Sequence, residues 1–316
     1  QDRNRAWTSV FDEVKRRLMS NFVNSNLESI FEEAVASHQT GDFETAKEKC
    51  NQILAVDSGN VKALNVLGVI AFQQDEIDKA VKLLTNAIEV DNTEPSYHLN
   101  LGFALRKLAR FKDAAKSCDA AIALNPNFAE SYRLKAELLA DTGSGEEALA
   151  NYEKIISLDP NDARAHKCRG ELLSDMGRLS QAEGSFREAL RLNANDVGGL
   201  INFGILLRKR GKLDEALQQL QSAHRLQPEN FEASNNLGVT LKELMRPGEA
   251  LVILNGAVNQ MPQSAEARNS RGTVLQDLRR LDEAMADYDA AIGLRANYAN
   301  ALWNKSLLLL LQGRLT

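Results

Sequence analysis

Cysteine, histidine, proline and tryptophan are scarce in this chain, with three, four, six and two residues among 316. Each shortage removes a class of protein. Three cysteines cannot build the disulfide framework of a small secreted domain. Cys50, Cys118 and Cys168 read instead as reduced thiols packing as small hydrophobes, which points to a reducing, cytoplasmic setting. His38, His98, His166 and His224 are too widely spaced for a metal-binding motif, and His-Glu-x-x-His does not occur. A Gly-x-Ser-x-Gly nucleophile turn is also missing. Gly143-Ser144-Gly145-Glu146-Glu147-Ala148 has the letters of a dinucleotide fingerprint, but that motif needs a preceding strand and the pattern before it is helical. No catalytic residue, metal ligand or cofactor-binding residue is therefore expected. No apolar run approaches the length of a membrane-spanning helix. Excess positive charge is absent too: 38 basic against 43 acidic residues give a net charge of −5. With aromatics at only 6%, this argues against a nucleic-acid partner, which needs basic surface and stacking platforms. The chain begins at Gln1 with no visible signal peptide.

What the chain does have is a ruler. Ala46, Ala80, Ala114, Ala148, Ala182, Ala216, Ala250 and Ala284 stand 34 residues apart. A fixed period of this size marks one small unit stacked many times. With Ala46 at position 20, units start at Leu27, Val61, Pro95, Ala129, Ala163, Val197, Phe231 and Ala265, giving 27–60, 61–94, 95–128, 129–162, 163–196, 197–230, 231–264 and 265–298. Position 8 is Gly or Ala in all eight: Ala34, Gly68, Gly102, Ala136, Gly170, Gly204, Gly238 and Gly272. Small residues at positions 8 and 20 imply two helices crossing closely in every unit. In the third unit Leu99, Leu101, Phe103, Ala104, Leu105 and Leu108 sit at helical spacing, and so do Ala114, Ala115, Cys118, Ala121, Ile122 and Leu124. Gly41, Asp75, Gly143, Gly177 and Gly211, at position 15, mark the turn between helices. Asn125-Pro126 ends the second helix, since the residue before proline avoids the α region. Neither helix can bury its apolar face alone, so neighbours must stack into a continuous core.

These motifs resemble the tetratricopeptide repeat (TPR) family. Leu101-Gly102, Ala114, Ala121 and Pro126 in the third unit follow its pattern, as do Leu237-Gly238, Ala250, Ala257 and Pro262 in the seventh. The resemblance covers 272 of the 316 residues. It implies an all-α, right-handed superhelical solenoid of antiparallel helix pairs, with no activity of its own. Departures are local. Position 7 is charged at Glu33, Lys135, Arg169 and Arg271, and position 4 is His98, His166, Ser234 and Arg268 where an aromatic is usual. Those helices are expected to pack less tightly.

In the family the first helix of each unit lines a concave groove through positions 2, 5, 6, 9, 12 and 13. Carried onto this chain, the resemblance makes Asn65, Asn100, Arg106, Arg133, Lys167, Asn202, Arg208, Asn235, Asn236, Lys242, Asn269 and Asn304 the expected contacts of a protein or peptide ligand. Asparagine carries both donor and acceptor, so it can pair with a peptide backbone whatever its side chains. The row is partly similar to the asparagine ladder of the O-linked N-acetylglucosamine transferase family, but Val66, Leu134, Cys168 and Ser270 break it. Acidic groove residues such as Glu137, Asp141, Glu171, Asp175 and Glu243 mix with the basic ones. Val69, Phe72 and Phe103 offer one apolar pocket, and Ile201 and Ile205 another. The Lys/Asn/Arg clamp by which some members hold a C-terminal carboxylate fits no window here.

The ends depart from the repeat. Trp7, Val10, Phe11, Val14, Leu18 and Phe22 form an apolar stripe at helical spacing, so residues 1–26 are expected to form an amphipathic capping helix. Residues 299–316 match the first helix of an incomplete ninth unit, which is expected to leave Leu308 and Leu309 poorly covered and open to self-association. The reading is a non-catalytic protein-interaction scaffold. The alternative is the substrate-recruiting arm of a larger enzyme, a protein O-glycosyltransferase whose catalytic domain lies beyond Thr316.

Overall fold

The structure, a computed structural model, describes residues 25–313, and the capping helix expected over 1–26 falls almost wholly outside them. Among the described residues every regular element is a helix. Helix α1 covers 25–39. Then come α2 (Phe43–Val56), α3 (Val61–Gln73), α4 (Ile77–Val90), α5 (Pro95–Lys107), α6 (Phe111–Leu124), α7 (Ala129–Asp141) and α8 (Gly145–Leu158). A second compact body starts at Asp159. It comprises α9 (Ala163–Asp175), α10 (Leu179–Leu192), α11 (Val197–Lys209), α12 (Leu213–Leu226), α13 (Phe231–Glu243), α14 (Pro247–Gln260), α15 (Ala265–Asp277), α16 (Leu281–Leu294) and α17 (Ala299–Leu311). Within each body the helices pair antiparallel and the pairs stack in sequence order, as a TPR solenoid requires.

Local chemistry sets the ends of these helices. Asn60, Asp162, Asn230 and Ser264, all at position 34, cap the following helix by accepting from the amides of Ala63, Ala165, Ala233 and Ala267 at 2.8–3.2 Å. Position 15 is left-handed in every turn between paired helices. Gly41, Gly143, Gly177 and Gly211 supply positive φ without a Cβ to clash, and Gly313 does so after α17. Asp75, Ala109, Met245 and Arg279 adopt the same geometry at φ 56–62°, against the usual steric preference.

The crossing inside each unit is close enough to decide residue size. All eight alanines at position 20 are fully buried. A Cβ placed on the position-8 glycines would meet the position-24 side chain of the same unit: Leu254 Cγ at 2.5 Å from Gly238, and Tyr288 Cε1 at 2.7 Å from Gly272. Position 24 is therefore the core-filling residue of a unit, with Leu84, Phe186, Leu220, Leu254 and Tyr288 all buried to within 1% exposure.

The charged residues at position 7 are partnered rather than loosely packed. Lys49 meets Glu33 at 2.5 Å, Lys135 meets Asp119 at 2.6 Å, and Arg169 donates to Ser185 at 3.0 Å. Arg271 grips Asp287 with two bonds of 2.7 Å. Four of the polar residues at position 4 share one job, while Ser234 pairs instead with His224 Nδ1 at 3.0 Å. The Tyr132 hydroxyl, His166 Nε2 and Arg268 Nε donate to the carbonyls of Pro126, Pro160 and Pro262 at 3.0–3.1 Å, and His98 Nε2 pairs with the Asn92 carbonyl in the same way. His, Arg and Tyr substitute for one another here because each is long and ends in a donor.

Cys50 and Cys118 are fully buried and Cys168 is half-buried. Burial pushes the Cys50 thiol up to about 11 and the Cys118 thiol up to about 12. Leu308 departs from expectation: it is fully buried against Leu275, Ala284 and Tyr288, because α17 packs on α16 and α15. Another stripe of α17 faces out, with Trp303 and Leu310 at 71% and 62% exposure.

Two substitutions check this account. Met245→Gly relieves a left-handed non-glycine residue and should stabilise by about 0.5–1 kcal/mol, after subtracting the extra chain entropy glycine adds to the unfolded state. Gly238→Ala drives a Cβ into Leu254 and should destabilise by about 1–3 kcal/mol. Urea midpoints of the two variants moving in the same direction would refute the assigned turn and crossing geometry.

Candidate functional site

The expected groove residues lie on the first helix of each pair, where their separations follow from helix geometry. Positions 5 and 12 are two turns apart and so share one edge of the helix, and positions 6 and 13 share another. Side-by-side first helices therefore bring residues 35 apart into contact. Asn100 Nδ2 donates to Asn65 Oδ1 at 2.9 Å, and His38 pairs with Gln73 at 2.8 Å. Arg106 donates to Asp141 from Nε and Nη2 at 3.2 and 2.9 Å, and also engages Glu137. Burial opposes the charge of Arg106, but the two carboxylates outweigh it and raise its pKa.

The second body repeats the arrangement. Asn304 Nδ2 donates to Asn269 Oδ1 at 2.9 Å. Arg208 lies 3.6 Å from Glu243 and donates to Asn236 Oδ1 at 3.4 Å, while Lys242 lies 3.6 Å from Asp277. Asn236 donates to the Glu232 carbonyl at 2.9 Å, and Asn202 to Glu171 Oε1 at 2.7 Å. Asn235 donates to Glu266 at 3.0 Å, and Lys167 pairs with Asp196 at 3.0 Å.

Most of the candidate residues are thus joined to a neighbouring unit, while Lys167 and Arg133 pair within their own units with Asp196 and Glu130. Three of them are largely enclosed: Arg133, Asn235 and Asn269 are 4%, 3% and 8% exposed. Arg133 lies against Glu130 at 3.3 Å. Their enclosure means that a ligand would reach these three only with rearrangement. Sequence reasoning placed the charges but missed the pairing. The available signal was complementarity at a separation of 35, as in Arg106/Asp141, Arg208/Glu243 and Lys242/Asp277.

Between the paired groups the surface opens into cavities. Val69, Phe72, Gln73, Leu84, Asn100 and Phe103 line one of about 230 Å³ where α3, α4 and α5 meet. It includes the apolar pocket expected from Val69, Phe72 and Phe103. In the second body a cavity of about 330 Å³ is lined by Glu171, Ser174, Asp175, Phe186, Asn202, Ile205 and Lys209. Here the apolar expectation is corrected. Ile201 is buried in the core at 2% exposure, and Ile205 shares its pocket with carboxylates. Among the described residues no group of His, Cys, Asp and Glu is arranged to hold a metal, and no helix is long and apolar enough to cross a membrane.

Comparison with known proteins accords with this geometry. Profiles of the Tetratricopeptide repeat match residues 37–101, 99–163, 151–184 and 269–316, and a profile of the TPR repeat matches 204–244. The chain is 31% identical over 103 residues to DnaJ homolog subfamily C member 7 of Mus musculus, covering 30% of this chain and 21% of that protein. It is 29% identical over 94 residues to UDP-N-acetylglucosamine--peptide N-acetylglucosaminyltransferase of Caenorhabditis elegans, covering 30% of this chain and 8% of that protein. The chain thus matches only a minor part of these relatives. Among solved structures, YrrB, a TPR protein with an unusual peptide-binding site, superposes with a TM-score of 0.52 at 28% identity, over 61% of this chain and 99% of its own. A tetratricopeptide repeat protein of Parabacteroides merdae shares the fold at 18% identity, with a TM-score of 0.60 over 79% of this chain and 98% of its own. Matched in unit after unit and built of the same helix pairs, this chain belongs to the tetratricopeptide repeat family.

Proposed function

We propose that this TPR array is a protein-interaction scaffold whose first-helix face receives an extended segment of another protein. The observation that carries the reading is the cavity between α3, α4 and α5, with apolar walls and an asparagine amide at its edge. Such a cavity suits one apolar side chain. Asn100 spends one amide hydrogen on Asn65 and keeps a second hydrogen and its carbonyl oxygen. An asparagine has the capacity to serve a peptide group with these while the inter-unit bond persists. Paired charges along the same face favour an extended chain with few charges of its own, because a ligand charge must compete with a partner already in place. The solved structure of YrrB, with its peptide-binding site, supports the same use of this fold.

A narrower reading also has an observation behind it. The Asn65–Asn100 and Asn269–Asn304 pairs, together with the match to the Caenorhabditis elegans transferase, favour a substrate-recruiting arm of a protein O-glycosyltransferase. Sequencing the natural reading frame past Thr316 tests it: a sugar-nucleotide-binding catalytic domain supports the arm, and any other continuation removes it.

The scaffold reading is tested by selecting a phage-displayed library of random peptides on the full chain and measuring the winners by fluorescence anisotropy. Val69→Glu should weaken the selected peptides by about tenfold or more, equivalent to about 1.4 kcal/mol. Val252→Glu, at a position 70% exposed on a second helix, should leave affinity unchanged. The reverse pattern would move binding off the first-helix face and overturn the proposal.

A further inference from the structure

The two cavities described above are the same site built twice. Moving each lining residue of the first cavity three units along the chain turns Val69, Phe72, Gln73, Leu84, Asn100 and Phe103 into Glu171, Ser174, Asp175, Phe186, Asn202 and Ile205. Every one of these lines the second cavity, and Lys209 completes it. Positions 9, 12, 13 and 24 of one unit, with positions 6 and 9 of the next, therefore form a recurring pocket. The asparagine is common to both copies. The rest of the lining changes chemistry: Val to Glu at position 9, Gln to Asp at position 13, and Phe to Ile on the facing wall.

Glu171 is the distinctive group. Its Oε1 accepts from Asn202 Nδ2 at 2.7 Å, which orients the carboxylate. No cation among the described residues lies within ion-pair distance of it: Lys167, one turn earlier, is engaged by Asp196 at 3.0 Å. Burial pushes the Glu171 carboxyl up, opposed by the Asn202 bond and Lys167 and reinforced by Asp196 and Asp175. A half-buried carboxylate held in this way has lost hydration without gaining a cation at ion-pair distance, so an incoming cation recovers part of what burial cost. Phe186 and Ile205 supply apolar wall beside it, which matches the methylene stem of a long basic side chain. Lys209 is the one basic group in the lining against two carboxylates.

We infer that the pocket between α9, α10 and α11 receives a lysine or arginine side chain of the bound segment, while its counterpart between α3, α4 and α5 receives an apolar one. The inference rests on the peptide-binding reading above and adds the class of residue that each pocket accepts.

The test uses the same displayed library on the full chain. Peptides selected by the parent protein should be enriched in a basic residue. Replacing that residue by norleucine should cost about tenfold in affinity. The cost should disappear against Glu171→Gln, which preserves the shape and the Asn202 contact but removes the charge, and it should shrink against Asp175→Asn. Circular dichroism of each variant confirms the fold, and the norleucine comparison on the parent needs no protein variant at all. Enrichment of apolar residues alone, or a norleucine penalty that persists undiminished in both variants, overturns the cation assignment while leaving peptide binding intact. Failure of the library to yield any binder overturns the peptide-binding reading and this inference with it.

Discussion

The close approach of two helices within each unit is the constraint on which the other features depend. A glycine at position 8 lets the first helix settle onto the position-24 side chain of the second, with so little room that a methyl group on Gly238 would lie 2.5 Å from a leucine carbon. The buried alanine at position 20 does the same from the other side. These two small residues set the spacing of the pair. The left-handed turn at position 15 reverses the chain within that spacing, and the cap at position 34 starts the next helix. Because the crossing recurs every 34 residues, everything attached to it recurs as well, including the edges of the first helices and the pockets between them.

Between units, polar pairs link the first helices beside the shared apolar core. Hydrogen-bonded asparagines and arginine–carboxylate pairs link first helices at separations of 35 and 31 residues, two registers that differ by one helical turn. Partly exposed ion pairs of this kind contribute little stability singly. Their consequence is selective. Arg106, Arg208 and Lys242 on the first-helix face each have an acid beside them, so a ligand's charge gains most where a charge on the protein is left without an ion-pair partner. Glu171 meets that condition, and Arg106, Arg208 and Lys242 do not. The same rule governs the second-helix side, where position 7 is charged in several units and each of those charges finds a partner.

Repetition also explains how one fold presents different chemistry along its length. The crossing restricts positions 8, 20 and 24, while positions 9, 12 and 13 of the first helix are free to vary without disturbing it. Val69 and Glu171 occupy the same place in their units, as do Asn100 and Asn202. A receptor of this design changes its preference by substitution at a few positions while its backbone stays as it is.

The sequence by itself determined the period, the helix pairs and their turns, because backbone preferences and residue size act locally: glycine at a left-handed turn, asparagine or aspartate at a cap, alanine where helices touch. It also determined which positions carry polar groups. Tertiary structure decided what those groups do. Whether Arg208 offers itself to a ligand or to Glu243, and whether Leu308 is covered, depend on which helices lie side by side. That neighbourhood is a relation between residues about 30 apart or in different units, set by packing of whole helices. A motif read within one unit does not contain it, although the complementary charges at 35-residue separation carry its trace.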